Sequence, residues 1–204
     1  LLALEDGGAA GLFWEADPTL ETDGTTSIVR FEADGDVASR LRLEGEDGLL
    51  ARDFVRVEDG WVVAGQADLA ADDSAARVLR LAEDGEVQWS RKLGTAGRDE
   101  ARAVEATGDG DLLVAGSAEA ANGLPHMFLA RLSEGGERQW GEHYGEDDVD
   151  RGVDLAVAPW GGAVLVGYSE SFQDDEDREN YDTLILNIDE QGRSSLKVQI
   201  QESG

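Results

Sequence analysis

Residues 101–117, ARAVEATGDGDLLVAGS, recur in two clear copies, ARDFVRVEDGWVVAGQ at 51–66 and VDLAVAPWGGAVLVGYS at 153–169. Each copy is a short apolar run, an acidic or glycine turn, and a second apolar run that ends in glycine. The terminal glycines Gly65, Gly116 and Gly167 are 51 residues apart. A constant period of this length predicts one supersecondary unit repeated along the chain.

A second anchor follows in every copy and reads IVRFEADG, VLRLAEDG, LARLSEGG or LILNIDEQG. Its turn glycines are spaced by 50, 51 and 56 residues, and the longer last interval is explained by an acidic insertion at 174–180. These glycines are Gly35, Gly85, Gly136 and Gly192. The approximate repeats are therefore 1–50, 51–100, 101–151 and 152–204, within one domain.

The first and last repeats depart from the pattern. Residues 1–16, LLALEDGGAAGLFWEA, form a degenerate first copy with Glu15 where the glycine is expected. Trp89 and Trp140 close the two middle repeats, whereas Ser39 and Leu196 take that place in the outer ones.

Each repeat contains four short apolar runs bounded by Gly, Asp or Glu turns, which is typical of strands and too short for helices. In residues 87–93 the side chains Val87, Trp89 and Leu93 share one face, as in a half-buried antiparallel strand. The run 111–116 is apolar on both faces, as expected of a strand between two neighbouring sheets. This pattern predicts an all-β fold, a β-propeller of four four-stranded antiparallel blades.

The ends of the repeats leave two alternatives open. The chain starts in a first strand and stops after a fourth, near 196–200, so no strand remains to complete a shared blade. Either four blades close into a ring by side-chain packing, or they form an arc of a larger ring, which we favour. The start at Leu1, without Met or a signal peptide, also favours a piece of a longer polypeptide. Open edge blades would expose apolar faces and promote association.

The repeats resemble those of secreted and cell-surface bacterial and archaeal β-propellers, which read roughly DEA-V-T-DGG-VAG and then D-LAKLD-DG-QW-G. The match lies in Asp99-Glu100-Ala101 leading to Gly116, and in residues 127–132 leading to Trp140. The resemblance implies an extracellular, cell-surface or periplasmic location. Such repeats tend to carry Lys in the third strand, where this chain has Arg30, Arg80, Arg131 and Asn187.

The charge balance excludes several classes of protein. With 45 Asp and Glu against 17 Lys and Arg, the net charge of −28 argues against binding to nucleic acid, which requires clustered cations. No apolar stretch is long enough to insert into a membrane, and the absence of Cys removes disulfides and thiol chemistry. We interpret the acidity as adaptation to high salt, since at 1 M the Debye length is only about 3 Å. The alternatives are an acidic low-salt protein or a surface loaded with divalent cations.

The sequence offers no clear catalytic centre. His126 and His143 are the only histidines, and no serine elbow or metal-binding helix accompanies them, so no catalytic residue is predicted. The glycine turns followed by Trp also look like those of quinoprotein propellers. That resemblance implies a cofactor site with calcium and commonly a vicinal disulfide, and the lack of Cys argues against it.

Two further groups are candidate binding residues. The acidic insertion can supply oxygen ligands for Ca²⁺, and Asp175, Asp177 and Asp182 are the preferred ligands. Trp14 and Trp160 do not recur cleanly and are candidate ligand-binding residues on the surface, for example in a lectin. The recurring Trp89 and Trp140 are better explained by packing between blades, and the strand-ending glycines by a lack of room for Cβ.

These observations favour a non-catalytic binding or scaffold module for a protein or glycan, in an exported or surface protein with a salt-adapted surface. One alternative is a propeller enzyme, either a hydrolase or a quinoprotein-like oxidoreductase. Another is a purely structural segment of a larger surface protein. Acidic side chains that converge at the centre of the ring would favour chemistry.

Overall fold

The computed structural model describes residues 1–16, 24–43, 49–70, 73–94, 97–145, 148–170 and 182–200. These residues form antiparallel strands joined by turns, with no helix among them. The strands are β1 (Leu2–Ala3), β2 (Ala9–Ala16), β3 (Gly24–Phe31), β4 (Val37–Arg42), β5 (Leu50–Val57), β6 (Gly60–Ala70), β7 (Asp73–Ala82), β8 (Val87–Leu93), β9 (Glu100–Ala106), β10 (Leu112–Glu119), β11 (Pro125–Leu132), β12 (Arg138–Tyr144), β13 (Asp150–Val157), β14 (Ala163–Ser169), β15 (Asp182–Ile188) and β16 (Ser194–Ile200).

The strands form four separate four-stranded sheets, each built from consecutive strands in chain order. We call them blade 1 (β1–β4), blade 2 (β5–β8), blade 3 (β9–β12) and blade 4 (β13–β16). Tight turns with a left-handed glycine join the strands, as at Gly136, where φ is 78° and the backbone N–H donates to the Ser133 carbonyl at 2.8 Å. The predicted all-β propeller of four antiparallel blades is confirmed.

Apolar clusters join each blade to the next. One cluster fills the junction of blades 1 and 2 with Ile28, Trp61 and Leu79, a second fills that of blades 2 and 3, and a third that of blades 3 and 4. In the described part of the chain, no corresponding cluster joins blade 4 to blade 1. Burial of both faces of the middle blades accounts for the continuous apolar runs in their strands.

The strand-ending glycines lie opposite a β-bulge in the first strand of their blade. The bulge turns a backbone carbonyl towards the second strand, so a Cβ at Gly116 would overlap the carbonyl oxygen of Glu100. Gly65 and Gly167 face the carbonyls of Leu50 and Arg151 in the same way. The prediction that these glycines leave no room for Cβ is confirmed.

The expected place of this glycine in the first repeat was wrong. Phe13, and not Glu15, occupies the equivalent position, because Phe13 pairs with Ser27 just as Gly65 pairs with Arg77. In blade 1 the first strand is short and pairs only through Leu2 and Ala3. No bulged carbonyl faces this position, so a large side chain is accommodated.

Trp89 and Trp140 pack between blades, as predicted. The indole of Trp89 lies over Gly136 of blade 3 and donates its Nε1–H to the Glu134 carbonyl at 3.1 Å. Trp140 lies over Gly192 of blade 4 and donates to the Glu190 carbonyl at 3.0 Å. The repeated Trp therefore ties the fourth strand of one blade to the last turn of the next.

A buried aspartate recurs at the start of the first strand. Asp99 and Asp150 are both fully buried, and Asp99 Oδ1 accepts the backbone N–H of Glu119 at 2.9 Å. Gly94 and Gly145, which end the preceding fourth strands, leave room for these carboxyl groups, because a Cβ at either glycine would overlap them. The Asp of the family-like Asp99-Glu100-Ala101 motif thus has a structural role.

We expect Gly116→Ala to lower the free energy of unfolding by about 2 to 3 kcal/mol, because its Cβ would force the bulged carbonyl of Glu100 away from the strand. Urea denaturation followed by Trp fluorescence measures the change. Gly108→Ala is the matched control, since no atom lies within 4 Å of a Cβ there and its φ is not left-handed. Equal effects of the two substitutions would contradict the steric explanation.

Candidate functional site

A groove with a volume of about 760 Å³ lies between blades 1 and 2. Its floor contains Ile28 of β3 and Trp61 of β6, both buried, and Val55 of β5 lies beside them. Leu2 and Leu41 form part of its wall. We call this cavity the first groove.

The first groove exists because one repeat lacks the junction tryptophan. Ser39 pairs with Arg30 in the same way that Trp89 pairs with Arg80 and Trp140 with Arg131. At the two later junctions the indole packs over the turn of the next blade, whereas Ser39 lines the first groove with a small side chain. Leu41, two residues further along β4, covers Gly85 of blade 2 and closes only one end of the space.

Charges of both signs surround the apolar floor. Three of the 15 arginines, Arg30, Arg40 and Arg56, line the groove together with four acidic residues. These acids are Glu5, Asp6, Glu58 and Glu83. Arg30 pairs with Asp6 and Arg56 with Glu83, so the rim alternates positive and negative groups rather than forming a basic patch.

The guanidinium groups at the rim are held in fixed positions. Arg56 donates to the Gly60 carbonyl at 2.8 Å, and its Cζ lies 4.8 Å from the centre of the Trp61 ring. Arg40 lies between Ser39 and Leu41 in β4, so its side chain points to the other face of blade 1, where it pairs with Glu15 at 2.8 Å and lowers the pKa of that carboxyl group. The pKa of Asp6 is also lowered, first by the backbone N–H of Gly8 and then by Arg30. Asp6 and Glu15 are therefore charged at neutral pH.

A second site lies on the first strands of blades 2 to 4, where acidic side chains approach one another. Burial raises the pKa of Asp53 in β5, although the backbone N–H of Val104 donates to its Oδ2 at 2.8 Å. Burial also raises the pKa of Glu105 in β9, and Asp53 and Asp154 raise it further. Asp154 likewise raises the pKa of Asp53. We call these three residues the inner-strand acids. Composition and spacing did not single them out, because Asp53 and Asp154 occupy equivalent positions but Glu105 lies two residues further along its strand.

The two histidines approach each other in blade 3. His126 in β11 contacts Asn122 through Nε2 at 3.3 Å, and His143 in β12 pairs with Phe128. Partial desolvation lowers the pKa of His143, and the neighbouring His126 lowers it further. The neutral form of the His143 ring is therefore favoured. No hydroxyl nucleophile within the described chain is hydrogen-bonded to either ring.

The two candidate tryptophans are exposed, but the fold does not bring them together. Trp14 is 47% exposed and lies near the end of β2, whereas Trp160 is 55% exposed and lies in the turn before β14. The turn before β14 corresponds to the turn before β2, so the two rings lie at opposite ends of their blades. A single ligand site that uses both is therefore not formed, and a separate role for each stays a prediction.

The structure describes only one of the three predicted calcium ligands. Asp175 and Asp177 lie outside the described residues, and Asp182 is buried at the start of β15, where it pairs with Ser169. Among residues that the structure describes, no three His, Asp or Glu side chains are placed to hold a metal ion. The site at the insertion stays a prediction. The described residues also include no helix that could cross a membrane.

A short family match agrees with the fold. Residues 107–138 match the family described as "Domain of unknown function (DUF5122) beta-propeller", a segment that runs from the turn before β10 into β12. The chain matches none of the curated proteins. It is similar to the WD40 domain of Pan2 from Neurospora crassa, with 13% identity and a TM-score of 0.42 over 95% of this chain and 67% of the other. A member of the DUF4221 family from Bacteroides vulgatus is 8% identical, with a TM-score of 0.34 over 98% and 84%.

We expect Glu105→Gln to raise the free energy of unfolding at pH 7 by about 0.5 kcal/mol, a value discounted for partial exposure of the side chain. The pKa of Glu105 is raised above its ordinary value of 4.5, so the folded protein binds this proton more tightly than the unfolded chain does. Stability is therefore lost as pH rises through the folded pKa. The gain of the Gln variant should vanish below pH 4.5. Urea titrations at several pH values measure it.

The control is Glu32→Gln, which removes one charge from an exposed turn and breaks no ion pair among the described residues. A general relief of negative charge would make both variants equally stable. In that case the inner-strand acids would not repel one another.

Proposed function

We propose that this chain is a non-catalytic propeller module that binds a protein partner through the first groove. The observation that carries the proposal is the replacement of the junction tryptophan by Ser39, which lines a cavity of about 760 Å³ at the first junction, larger than the clefts of about 360 Å³ and 460 Å³ at the later ones. Loss of packing at one place in a repeat protein costs stability, and a ligand that fills the cavity repays part of that cost.

The chemistry of the groove fits an extended peptide segment. An apolar floor of Ile28, Val55 and Trp61 accepts a branched or aromatic side chain. The flanking Arg30–Asp6 and Arg56–Glu83 pairs present donors and acceptors on either side. A segment with one apolar residue between charges of opposite sign would match this rim.

A glycan fits the first groove less well. Sugar rings stack on exposed aromatic faces, but Trp61 is only 5% exposed, and Arg56 covers its ring. The exposed rings of Trp14 and Trp160 lie elsewhere and at opposite ends of their blades. A protein is therefore the partner that the groove favours.

The inner-strand acids favour a second candidate function, a hydrolase. Three carboxyl groups that converge on the first strands of a propeller are the arrangement that acid and base catalysis would use, and the raised pKa of Glu105 suits a proton donor. Against this, Asp53 already accepts the backbone N–H of Val104 and so has a structural partner.

We further propose that the acidic surface belongs to a salt-adapted protein that acts outside the cytoplasm. Even if every one of the 17 cations paired with a separate acid, 28 acids would remain unpaired. Screening at high salt weakens the repulsion among them. The location rests on the resemblance of the repeats to secreted and surface propellers.

We expect peptides selected for binding to the immobilised protein, from a phage-displayed library of random twelve-residue sequences, to lose at least tenfold in affinity on Ser39→Trp. The new indole would fill the first groove as Trp89 and Trp140 fill the later junctions. Isothermal titration calorimetry with the selected peptides measures the loss. Ser39→Trp should remain folded, with an equal or higher Tm.

Ser195→Trp is the matched control, because it adds the same ring on β16, far from the first groove. Peptides that bind both variants as tightly as the natural chain would contradict the proposal. So would a library that yields no peptide specific for the protein.

We expect the Tm to rise steadily from about 0.1 M to 3 M KCl, because screening removes repulsion among unpaired acids. Thermal unfolding followed by circular dichroism measures the rise, in parallel with a series in millimolar CaCl₂. Stabilisation by Ca²⁺ alone would instead indicate specific sites in the acidic loops. A Tm that responds to neither salt contradicts the salt-adaptation proposal.

A further inference from the structure

Every junction between blades uses the same two surfaces. The trailing face of a blade packs towards the next blade, and its fourth strand contributes alternate residues such as Leu41 and Leu43, or Trp89, Arg91 and Leu93. The leading face of the next blade contributes its second and third strands, with the turn between its third and fourth strands at the rim. Both kinds of face are defined by these contacts.

At the rim of each junction, a trailing side chain lies over the left-handed glycine of the next blade. Leu41 covers Gly85, and Trp89 covers Gly136 while Arg91 donates to the Gly136 carbonyl at 2.9 Å. Trp140 covers Gly192, whose carbonyl accepts the Tyr144 hydroxyl at 2.6 Å. Burial raises the pKa of that hydroxyl, which keeps it a donor.

In blade 1, no described side chain lies over the turn glycine at the rim of the leading face. Its turn has the same geometry, with φ of 93° at Gly35 and a hydrogen bond from the Gly35 N–H to the Glu32 carbonyl at 3.0 Å. No atom lies within 4 Å of the position that a Cβ of Gly35 would take. On the same face, Val37 and Phe13 are 61% and 43% exposed, whereas Ser27 and Val29 between them are buried. In blade 4, Ile188 takes the place of Phe31 and is fully buried.

The trailing face of blade 4 is also uncovered. Val198 and Ile200 of β16 are 39% and 53% exposed. Val198 pairs with Ile185, which in turn pairs with Val166, and both of these are only half-buried. The equivalent residues of blade 3, Leu129 and Ala115, are fully buried by blade 4. Blade 4 therefore carries an aliphatic trailing face without the blade that would cover it, among the residues described.

We propose that a second copy of this chain covers these faces, with the trailing face of blade 4 in one copy packed on the leading face of blade 1 in the other. Val198 would lie over Gly35 of the second copy, as Leu41 lies over Gly85 within one copy, because Leu41 and Val198 occupy equivalent positions in their fourth strands. The contact is independent of the first groove and goes beyond the proposed function.

The choice of a second copy rests on complementarity. The contact has two unlike halves, and this chain presents both, with the same residue classes that pack at its three internal junctions. Two copies joined head to tail make the contact twice and close a ring of eight blades. Each copy carries a charge of −28, so we expect the association to need high salt.

Analytical ultracentrifugation of the full chain in about 2 M KCl tests the proposal. The expected result is a dimer of twice 21.8 kDa at micromolar concentrations. Val37→Lys and Val198→Lys, one on each half of the contact, should each raise the dissociation constant at least tenfold. Val153→Lys is the matched control, since Val153 is 41% exposed but lies on the first strand of blade 4. A monomer at all concentrations, or a dimer that none of the variants weakens, would overturn the proposal.

Cross-linking distinguishes a second copy from closure within one chain. The chain has no Cys, so Asp34→Cys and Val198→Cys each introduce a single thiol. They correspond to Gly135 and Arg91, which hydrogen-bond at 3.2 Å across the junction of blades 2 and 3. A mixture of the two variants should give a cross-linked dimer with a short bismaleimide. If the double variant instead cross-links only within a monomer, the four blades close on themselves and the proposal is wrong.

Discussion

The fold depends on burial of apolar side chains between blades, because hydrogen bonds hold each sheet together but do not join one sheet to the next in the way that packing does. Side chains such as Leu79, Leu129 and Leu186 are buried only because a neighbouring blade covers them. Full burial of one such residue stabilises the fold by roughly 1.5 to 3 kcal/mol. A single blade has two apolar faces and would not be stable alone, so each blade needs a neighbour on both sides.

This requirement explains how much could be predicted from the sequence. The 51-residue period and the strand-ending glycines predicted four antiparallel blades, and the structure confirms them, because the same packing problem has the same solution in every repeat. The role of Trp89 and Trp140 followed for the same reason. In the first repeat, the sequence pattern placed Glu15 at the position of the strand-ending glycine, whereas the structure places Phe13 there. The first strand of this blade has only two residues and no bulge, so nothing requires a glycine at that position. The repeat pattern therefore predicts the features that all four repeats share, and it does not predict the structure at positions where one repeat differs from the others.

The candidate sites lie where repeats diverge. Ser39 stood in the sequence at the position of a tryptophan, and that difference alone could have indicated a cavity between blades 1 and 2. The inner-strand acids were not predictable, because Asp53 and Glu105 come from unequal positions and meet only when the first strands are brought side by side. The pairing of Arg56 with Glu83 was not predictable either, because it joins the first strand of blade 2 to the turn between the third and fourth strands of the same blade.

The cavity at Ser39 and the exposed outer faces have the same cause, because the apolar faces of each blade are buried only where a neighbouring blade packs on them. Where a tryptophan is replaced within the chain, as at Ser39, the neighbouring blade stays in place because the rest of the junction is filled by Leu41, Ile28 and Trp61, and a cavity remains. On the outer faces of blades 1 and 4, near Gly35 and Val198, no described blade covers the surface, and apolar side chains such as Val37 and Ile200 are exposed to water. The first case favours a small occupant such as a peptide, whereas the second needs a surface as large as a blade. The two contacts therefore differ in size and in chemistry, and each can exist without the other.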